Sequence, residues 1–541
     1  MRFSVYTSCA INYLPKARAL AESLRHHQPD ARLTLCLNDR VPPWLDLSNE
    51  PFDQIWLPGD LGYDPAWIFQ HNVMELCTAV KGRALVRLMQ QDADALHVYL
   101  DPDVYLFDAL TPIARMMEGA SIGLVPHILC PEETDTGVRL TEMSSTEHGI
   151  YNLGHLIVRA DATGQAFAEW WQQRLDRYCF DDRAHGLFTD QRWVDLVPAI
   201  FEHVRILRSP ALDVASWNLA GRDIRQNQPG DVGAFTVNGE RLLTYHFSGT
   251  GPTGTHRQVR EIFDPGNPAT AEIERLYEAA IARHGQADLA QHLSGLDHFD
   301  DATPITAGAR KLYRDHADLR RAFADPYACQ PGKMGYLDWL RQNRPGLVDG
   351  LRLAPDMLGT AFDDLFDEAY YVAAHPDVAD ALAAGRYPSA KAHYCAIGSR
   401  LFLDPNEFFV SSFYHDRAAG HDERSVRPGP GRLEDTLLWH YLTVGLANGF
   451  EPIEFFDSGW YLRQYPDVEA AIRTRQVSTP LGHFLRYGSA EGRDPGPGFE
   501  GRRYMDNSVE ARALAKTGDT RGPFGALVRL GGVTGRIQAP G

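Results

Sequence analysis

The sequence predicts an α/β domain with a mainly parallel sheet, followed by an all-α connector and a helical repeat module. From residue 2 to about 282, short β-rich runs alternate with segments of helical periodicity, which is the pattern of βαβ units. After about residue 285 the strand signal fades, and beyond about 355 similar segments recur. We therefore expect four parts: the α/β domain at 1–285, the connector at 286–355, the repeats at 356–498 and a loosely ordered tail at 499–541.

The first elements form a βαβ unit. A strand at Arg2–Ser8 leads into a helix opened by Asn12 and Pro15, whose apolar residues recur at i, i+3, i+4 and i+7. A second strand at Arg32–Leu37 closes the unit. The same alternation predicts further strands at Ala95–Leu100, Ser121–Pro126, Asn152–Arg159 and Leu242–Phe247, and helices near Met74–Gln90, Ala162–Arg177 and Gln191–Phe201.

The connector and the repeats are predicted from composition and self-similarity. Arg, Ala and Leu at helical spacing fill Ala307–Leu353. The repeat has three copies, at about 356–405, 406–452 and 453–498, and each carries a tyrosine and then a histidine: Tyr371 and His393, Tyr414 and His440, Tyr461 and His483. Two helices per copy would stack as a short solenoid. Because every histidine recurs beside an aromatic residue, we interpret the histidines as structural rather than as metal ligands.

Composition and charge exclude several classes of protein. The chain of 541 residues has 53 Lys or Arg against 71 Asp or Glu, a net charge of −18, whereas a nucleic-acid binder carries a basic surface. Its seven cysteines are scattered without a C-x-x-C spacing, which disfavours a disulfide framework and a thiolate zinc site. The amino terminus does not resemble a secretory signal, and no run approaches the roughly 20 apolar residues of a membrane span. We expect a cytoplasmic protein without a nucleic-acid partner or transmembrane segment, peripheral to the inner membrane at most.

The segment HVYLDPDVYLF, residues 97–107, carries the sharpest chemical signal. Its apolar strand runs directly into Asp101 and Asp103, with Pro102 between them. The carboxyl end of a buried parallel strand is where open α/β sheets bind ligands, and proline stiffens the turn so that both carboxylates can face one point. Hard oxygen ligands this close together favour Mg²⁺ or Mn²⁺. The alternative is a plain strand-terminating turn, since Asp and Pro are turn formers.

The same segment also resembles the nucleophile motif of haloacid-dehalogenase-type phosphatases, in which the first aspartate is the nucleophile. In those enzymes the motif usually lies on the first strand of the domain, whereas here a whole βαβ unit precedes it. The lysine and the later acidic pair that this chemistry needs have no counterpart in order and context. The phosphatase interpretation is therefore the weaker one.

Six ordered segments decide between these interpretations. They are ELCTAVKGRAL, VYLDPDVYLF, GIYNLGHLIVR, GLFTDQRWVDLVP, VASWNLAGRDI and LLTYHFSG. In this order they resemble bacterial nucleotide-sugar glycosyltransferases of the GT-A fold, and they are similar to family-eight retaining enzymes such as the lipopolysaccharide galactosyltransferases. The resemblance covers about residues 1–260 and implies a Rossmann-like nucleotide-diphospho-sugar transferase domain.

The resemblance implies a metal site and a catalytic pair. Asp101 and Asp103 would chelate Mn²⁺ or Mg²⁺ on the donor diphosphate, and His246 of YHFSG would complete the metal site. The cation would neutralise the departing nucleoside diphosphate. Asp190 and Gln191 of FTDQRW match the pair beside the anomeric carbon in retaining relatives, where Gln191 would steady positive charge on the sugar. Considered alone, His246 is a strand-end histidine and Asp190 a helix N-cap.

Further residues match positions that bind the nucleotide sugar in the family: Ser8, Asn12, Tyr13, Lys81, Asn152, Gly154, Asn218, Ser248 and Gly249. Tyr13 would stack on the base, and Lys81 would contact phosphate or donor sugar. Taken alone, Lys81 is a solvated charge and Asn152–Gly154 a turn. One departure is Ala10, which stands where some relatives place an acidic residue that reads uracil. We still expect a UDP-linked sugar as the donor.

The repeats resemble YYLxxYPDV and HYxxxGxxEGRxP modules of bacterial polysaccharide-synthesis glycosyltransferases. We interpret them as a platform for the acceptor or for a partner protein. Together the resemblances imply a metal-dependent enzyme that moves a hexose from a nucleotide diphosphate sugar to a glycan or lipid-linked glycan acceptor, with retention of configuration. That acceptor would belong to the cell envelope or to an exopolysaccharide.

Two other functions stay open. The first is a non-catalytic, sugar-nucleotide-binding scaffold of a polysaccharide-assembly complex, although a scaffold needs neither the two carboxylates of the Asp-Pro-Asp turn nor His246 and Asp190. The second is a nucleotidyltransferase, which should carry a Gly-rich and basic phosphate loop after the first strand. The segment TSCAINYLPKA lacks such a loop.

Overall fold

The computed structural model describes residues 2–134, 137–226, 235–250, 255–330, 332–344, 347–348, 353–422, 432–517 and 520–533. The chain divides into two compact units, Met1–His298 and Phe299–Gly541. Most of the predicted connector therefore falls in the same unit as the repeats. The boundaries inside that second unit stay predictions.

A seven-stranded sheet organises the first unit. The strands of this unit are, in chain order, β1 (Phe3–Cys9), β2 (Arg32–Leu37), β3 (Gln54–Trp56), β4 (Leu96–Leu100), β5 (Val104–Leu106), β6 (Ile122–Pro126), β7 (Tyr151–Arg159), β8 (Asp181–Asp182), β9 (Leu187–Phe188), β10 (Val204–Ile206), β11 (Val214–Ala215), β12 (Ile224–Gln226), β13 (Phe235–Val237), β14 (Glu240–Arg241) and β15 (Thr244–His246). The main sheet has the order β10-β6-β7-β4-β1-β2-β3. Strand β7 is antiparallel to β4 and β6, and the other neighbours are parallel. The predicted mainly parallel sheet is confirmed.

Helices flank these strands along the chain. Within the described residues, the α-helices of the first unit are Leu14–His27, Pro65–Phe69, Val73–Ala79, Lys81–Gln91, Thr111–Met116, Ser144–His148, Ala162–Tyr178, Gln191–Val194, Val197–Ile200, Thr255–Phe263, Pro268–Arg283 and Gln286–Leu289. The first of them buries the apolar stripe that its sequence predicts, since Ala17, Leu20 and Leu24 are all fully buried. Leu20 and Leu24 share one hydrophobic core with β-strand residues such as Val5 and Leu33.

Two predicted helices are each broken in two. The helix predicted near Met74–Gln90 is interrupted at Val80. The helix predicted at Gln191–Phe201 is split between Val194 and Val197, just before Pro198. Proline has no N–H to continue the helical hydrogen bonds and clashes with the preceding turn, so the second break follows from the sequence.

A smaller sheet brings the candidate site together. Strand β5 pairs antiparallel with β15, and β15 pairs parallel with β11. The β5–β15 register sets Val104 opposite His246. Because Val104 directly follows Asp103, this pairing carries His246 to the Asp-Pro-Asp turn.

The second unit is helical in its described residues. Its α-helices are Ala307–Asp315, Ala317–Ala322, Tyr336–Asn343, Leu358–Leu365, Glu368–Ala374, Pro376–Ala383, Ala390–His393, Ser411–Asp422, Leu437–His440, Leu446–Asn448, Ser458–Gln464, Pro466–Arg473, Pro480–His483, Gly501–Asn507, Val509–Lys516 and Gly522–Arg529. In each copy of the repeat a π-helical turn continues the helix that ends in the histidine: Tyr394–Gly398, Tyr441–Gly445 and Phe484–Gly488. Across the described part of the chain, no helix has the length and apolar character needed to cross a membrane.

Each copy of the repeat is held by the same three residue types. A fully buried tyrosine hydroxyl is hydrogen-bonded to Nδ1 of the histidine. The pairs are Tyr371 with His393 at 2.9 Å, Tyr414 with His440 at 2.5 Å, and Tyr461 with His483 at 3.0 Å. The glycine that ends each π-helical turn lies against this hydroxyl, where a Cβ atom would overlap it: Gly398, Gly445 and Gly488. The recurring histidine therefore has a hydrogen-bonding role inside its own copy.

The Gly398→Ala variant is expected to destabilise the second unit by about 1–3 kcal/mol, because the added methyl group must displace a buried, hydrogen-bonded tyrosine hydroxyl. Gly359→Ala is the matched control, since Gly359 lies in the helix Leu358–Leu365 with open space around it. Alanine there should be neutral or stabilise by up to about 1 kcal/mol. Equilibrium denaturation of the full chain measures both changes. Equal stability of the two variants would contradict the packing argument.

Residues 499–541 are expected to form a loosely ordered tail, but the described part of this segment is largely helical. Three helices occupy much of residues 501–529. Phe524 and Val528 are each 1% exposed and belong to the core of the repeats. The high Gly and Arg content conceals this apolar spacing of i, i+4, which is enough to bury one face of the last helix. Residues 534–541 of the predicted tail lie outside the described residues.

Candidate functional site

The Asp-Pro-Asp turn after β4 is held by backbone hydrogen bonds from two other strands. The Asp101 N–H donates to the carbonyl of Gly154 in β7, at 3.0 Å. The Phe247 N–H, just after β15, donates to the carbonyl of Asp103, at 2.8 Å. Within the turn the Val104 N–H donates to the Asp101 carbonyl, at 3.0 Å. Both carboxylates are thus fixed at the carboxyl end of a buried central strand, as the sequence predicts.

These carboxylates converge on one histidine. Nε2 of His246 lies 3.1 Å from Oδ1 of Asp103 and 3.7 Å from Oδ2 of Asp101. A Cβ atom at Gly154 would come within 2.6 Å of Cε1 of His246, so only glycine lets the imidazole ring lie this close to β7. The three predicted metal residues therefore form one cluster, bounded by the backbone of β7.

The charges in the cluster reinforce one another. Burial alone would lower the pKa of His246, but the carboxylates of Asp103 and Asp213 outweigh it and raise the pKa to about 10. Burial alone would raise the pKa of Asp103, but His246 and Lys16 outweigh it and hold the pKa well below its usual value. Nζ of Lys16 is 3.7 Å from Oδ2 of Asp103, and both side chains are buried. The site is therefore strongly polarised around an ionised Asp103.

A buried ion pair lies on the other side of Asp101. Nζ of Lys81 is 2.8 Å from Oδ2 of Asp190 and 3.5 Å from Oδ1 of Asp101, and it donates to the carbonyl of Leu153 at 3.3 Å. The hydroxyl of Tyr99 donates to Oδ1 of Asp101 at 2.7 Å. The Lys81 side chain is 3% exposed, which makes it a buried cation and not a surface charge. Lys81 thus connects Asp101, one of the predicted metal ligands, to Asp190, the predicted catalytic aspartate.

Burial and charge shift the pKa of both members of this pair. Burial alone would lower the pKa of Lys81, but Asp101 and Asp190 outweigh it and raise the pKa. Burial raises the pKa of Asp190, and the charge of Lys81 offsets this only in part. Thr189, just before Asp190, has a φ of 44°, a strained left-handed conformation for a β-branched residue.

Gln191 and Asn152 are both engaged with the backbone. Oε1 of Gln191 accepts from the Leu153 N–H at 3.1 Å, and its Nε2 donates to the His148 carbonyl at 3.1 Å. Oδ1 of Asn152 accepts from the Gly154 N–H at 2.6 Å. Both side chains therefore lie beside Leu153, whose carbonyl accepts from Lys81.

Of the other residues predicted to bind the nucleotide sugar, some lie near the carboxylates and others are hydrogen-bonded inside the fold. The ring of Tyr13 lies 3.9 Å from Nζ of Lys16, which connects it to Asp103, and Asn12 is half-buried on the same turn, Ile11–Tyr13. By contrast, the Ser8 hydroxyl is used inside the fold, because it donates to the Cys77 carbonyl at 2.6 Å and accepts from the Asn38 amide at 2.8 Å.

The predicted residues that follow β11 and β15 are also hydrogen-bonded within the fold. The buried Asn218 amide donates to the carbonyls of Asp213 and His127, at 2.9 and 3.1 Å. Ser248 and Gly249 follow β15, and their carbonyls bind His256: the ring Nδ1 is 3.2 Å from the Ser248 carbonyl, and the His256 N–H donates to Gly249 at 3.2 Å. The Ser248 side chain is exposed.

Sequence reasoning missed one acidic and one basic residue of the site. Asp213 lies within 3.3 Å of His246, and Lys16 lies beside Asp103. Asp213 stands in PALDVAS, and nothing in that segment predicts a contact with a histidine 33 residues later in the chain. Lys16 had a weak signal, since a lysine three residues after Tyr13 lies on the same side of a helix.

The metal-ligating atoms of Asp101, Asp103 and His246 fit a small divalent cation. Two carboxylates and one imidazole nitrogen offer ligand atoms that lie within 4.8 Å of one another. An octahedral ion with ligands at about 2.1 Å separates neighbouring ligand atoms by about 3 Å, close to the observed 3.1 Å between His246 and Asp103. Oxygen-rich sites with one imidazole suit Mn²⁺ or Mg²⁺.

Comparison with known proteins gives partial likenesses. No family model matches the chain. Two proteins of Bacillus subtilis (strain 168), both described as uncharacterized, are similar to it. YfnF is 24% identical over 229 residues, 41% of this chain and 70% of its own length, and YfnD is 27% identical over 259 residues, 46% of this chain and 78% of its own length.

Three solved structures are similar to part of the chain. A galactosyltransferase, LgtC, in complex with donor and acceptor sugar analogs, is 16% identical, with a TM-score of 0.31 over 52% of this chain and 96% of its own. The glycosyltransferase GlyE of Streptococcus pneumoniae TIGR4 is 12% identical, with a TM-score of 0.29 over 52% of this chain and 64% of its own. A glycosyltransferase involved in glycosylation of the major capsid of PBCV-1 is 11% identical, with a TM-score of 0.27 over 49% of this chain and 99% of its own.

Proposed function

We propose that the first unit is the catalytic unit of a metal-dependent glycosyltransferase of GT-A type, which moves a hexose from a nucleotide diphosphate sugar, UDP-linked, to a glycan or lipid-linked glycan acceptor. The observation that carries the proposal is the convergence of Asp101, Asp103 and His246 at the carboxyl end of β4, with the Lys81–Asp190 pair beside it. A scaffold that only binds a partner would not need to bury Asp103, His246, Lys81 and Asp190 around the half-buried Asp101, since each buried ionisable group costs desolvation energy.

In this proposal the cation is Mn²⁺ or Mg²⁺, held by Asp101, Asp103 and His246. When bound, it stabilises negative charge on the departing nucleoside diphosphate. Lys81, whose Nζ lies between Asp101 and Asp190, adds a fixed positive charge at the same edge of the cluster. This arrangement fits transfer of a sugar from a diphosphate, because it places positive charge where negative charge develops on the leaving group.

Asp190 and Gln191 would face the sugar. Gln191 presents an amide oxygen that is already hydrogen-bonded to the Leu153 N–H, so its orientation is set before substrate arrives. A neutral amide can steady positive charge at the anomeric carbon without forming a stable covalent bond, and we therefore propose transfer with retention. The second unit would hold the acceptor or a partner protein of polysaccharide synthesis, in a cytoplasmic protein that is at most peripheral to the inner membrane.

Thermal unfolding of the full chain with a panel of nucleotide sugars, in Mn²⁺ and in EDTA, tests the donor and the cation together. A ligand at about 100 times its dissociation constant adds about 2.7 kcal/mol, which should raise the melting temperature by roughly 5–10 °C. We expect this shift for one UDP-hexose in Mn²⁺ and its loss in EDTA. Hydrolysis of the same donor to a sugar of unchanged anomeric configuration, followed by NMR, tests retention.

The other outcomes separate the alternatives. A shift of equal size in EDTA would remove the cation from the proposal. A Mn²⁺-dependent shift without hydrolysis or transfer would favour the non-catalytic scaffold. No shift with any sugar nucleotide would contradict donor binding itself.

A further inference from the structure

A second buried cluster lies behind His246. Oδ1 of Asp213 is 3.3 Å from Nδ1 of His246 and 3.1 Å from Nδ1 of His155. The side chains of Asp213 and His155 are both 0% exposed. Asp213 therefore faces the ring nitrogen of His246 opposite to Nε2, which faces the two carboxylates of the turn.

We propose that Asp213 is a positioning residue that holds His246 in the tautomer with its hydrogen on Nδ1, so that the lone pair of Nε2 is directed at the cation. The inference rests on the proposed function, because it needs a cation at Asp101 and Asp103. Metal-binding histidines commonly direct their second ring nitrogen to a carboxylate in this way, which fixes the ring and strengthens it as a ligand.

The hydrogen-bond directions around Asp213 agree with this role. The Asp213 N–H donates to Oγ1 of Thr244 at 2.9 Å, and the same Oγ1 lies 2.9 Å from Nε2 of His155. If the threonine hydroxyl donates to Nε2, the neutral imidazole of His155 carries its hydrogen on Nδ1, where it faces Asp213. Oδ1 of Asp213 then lies 3.1 Å from Nδ1 of His155 and 3.3 Å from Nδ1 of His246.

One neighbouring group competes for Nδ1 of His246. The Asn152 amide nitrogen lies 3.5 Å from it, and an amide N–H would favour a bare Nδ1. Asp213 is closer, at 3.3 Å, and a bond to an ionised carboxylate is about twice as strong as one between neutral groups. The carboxylate therefore decides where the hydrogen lies.

The backbone shows that Asp213 is held in place at a cost. Its φ is 53°, in the left-handed region that non-glycine residues seldom occupy. Asn218 donates to the Asp213 carbonyl at 2.9 Å and so supports this conformation. Strain of this kind is retained where other contacts determine the position.

The first test is a titration of the full chain with Mn²⁺ alone, in which electron paramagnetic resonance reports free Mn²⁺. Asp213→Asn keeps the shape of the side chain but removes its charge, and it should weaken Mn²⁺ binding by about 10- to 100-fold. Asp176→Asn is the matched control, because Asp176 pairs with Arg83 and Tyr63 away from the site. It should bind Mn²⁺ as the unaltered protein does, with one ion per chain.

The outcomes distinguish this inference from the proposed function. If the unaltered protein binds no Mn²⁺, the metal site and the inference both fail. If it binds Mn²⁺ and Asp213→Asn binds equally well, the inference alone fails. A second ion per chain that Asp213→Asn abolishes would show that Asp213 and the two histidines bind a cation themselves, which also overturns it.

A measurement without a variant at Asp213 covers the case in which Asp213→Asn does not fold. NMR of the ¹⁵N-histidine-labelled protein with Mg²⁺ reports which ring nitrogen carries hydrogen, and a His246→Gln sample identifies the signal. We expect hydrogen on Nδ1 of His246. Hydrogen on Nε2 in the Mg²⁺-bound protein would overturn the inference.

Discussion

The Asp103→Asn variant is expected to lose metal-dependent transfer by at least about a hundredfold while staying folded. A cation that stabilises the leaving group contributes several kcal/mol to the transition state, and each 1.36 kcal/mol is a factor of ten in rate. Oδ1 of Asp103 lies 3.1 Å from Nε2 of His246 and Oδ2 lies 3.7 Å from Nζ of Lys16, so asparagine loses the charge and must place its amide NH₂ at one of these two positions. Donor hydrolysis at saturating Mn²⁺ measures the loss.

The control for this variant makes the same chemical change elsewhere in the unit. Asp176→Asn removes a carboxylate that pairs with Arg83 at 3.1 Å, and hydrolysis should stay within about twofold of the unaltered rate. Circular dichroism of both variants checks the fold. Unchanged hydrolysis by Asp103→Asn in Mn²⁺ would refute the assignment of Asp103 to the cation.

How much of this site is predictable from sequence depends on the distance along the chain. Asp101 and Asp103 follow a strand directly, so their position at its carboxyl end follows from the strand prediction alone. His246 reaches them only through the pairing of β15 with β5. Spacing says nothing about that pairing, and only the ordered resemblance to a family placed His246 in the site.

Asp213 shows the opposite limit. Its local sequence, PALDVAS, gives no sign of a role in the site, and the structure gives it a left-handed backbone conformation between two histidines. Such a position depends on three strands meeting, and no local propensity encodes it. The broken helix before Pro198 is different, because proline's missing N–H made that break predictable from the sequence.

The repeats show what self-similarity predicts and what it omits. Recurrence of tyrosine, histidine and glycine indicates three equivalent copies. The reason for the glycine appears only in three dimensions, because its hydrogen atom faces the hydroxyl that the histidine binds, as at Gly398 and Tyr371. These two residues are 27 positions apart in the chain, and neither local segment predicts the contact between them.

The Lys81→Met variant should have the largest effect on stability. It leaves the Asp190 carboxylate buried without its 2.8 Å partner, and breaking a buried pair costs about 3–5 kcal/mol. It should also abolish most transfer, because Lys81 is the cation nearest both Asp101 and Asp190. Denaturant unfolding and donor hydrolysis measure the two losses separately.

The pH dependence of Lys81→Met has a definite sign. Burial already raises the pKa of Asp190 above its usual value, and removing the lysine raises it further. A carboxyl whose pKa is higher in the folded state than in the unfolded chain gives most stability when protonated. The variant should therefore gain stability at acidic pH and lose it as the pH rises through that pKa, more steeply than the unaltered protein does.

The double variant Lys81→Met, Asp190→Asn completes the test. Because no unpaired buried charge remains in it, the double variant should recover most of the stability lost in Lys81→Met. It should also lose the added pH dependence, yet remain inactive. Recovery of stability without activity would show that the pair is retained for chemistry and not for folding, since its removal as a unit costs the fold little. If the double variant is as unstable as Lys81→Met, the loss comes from packing of the lysine stem against Tyr99, whose ring lies 4.0 Å from Nζ, and the ion pair is not its cause.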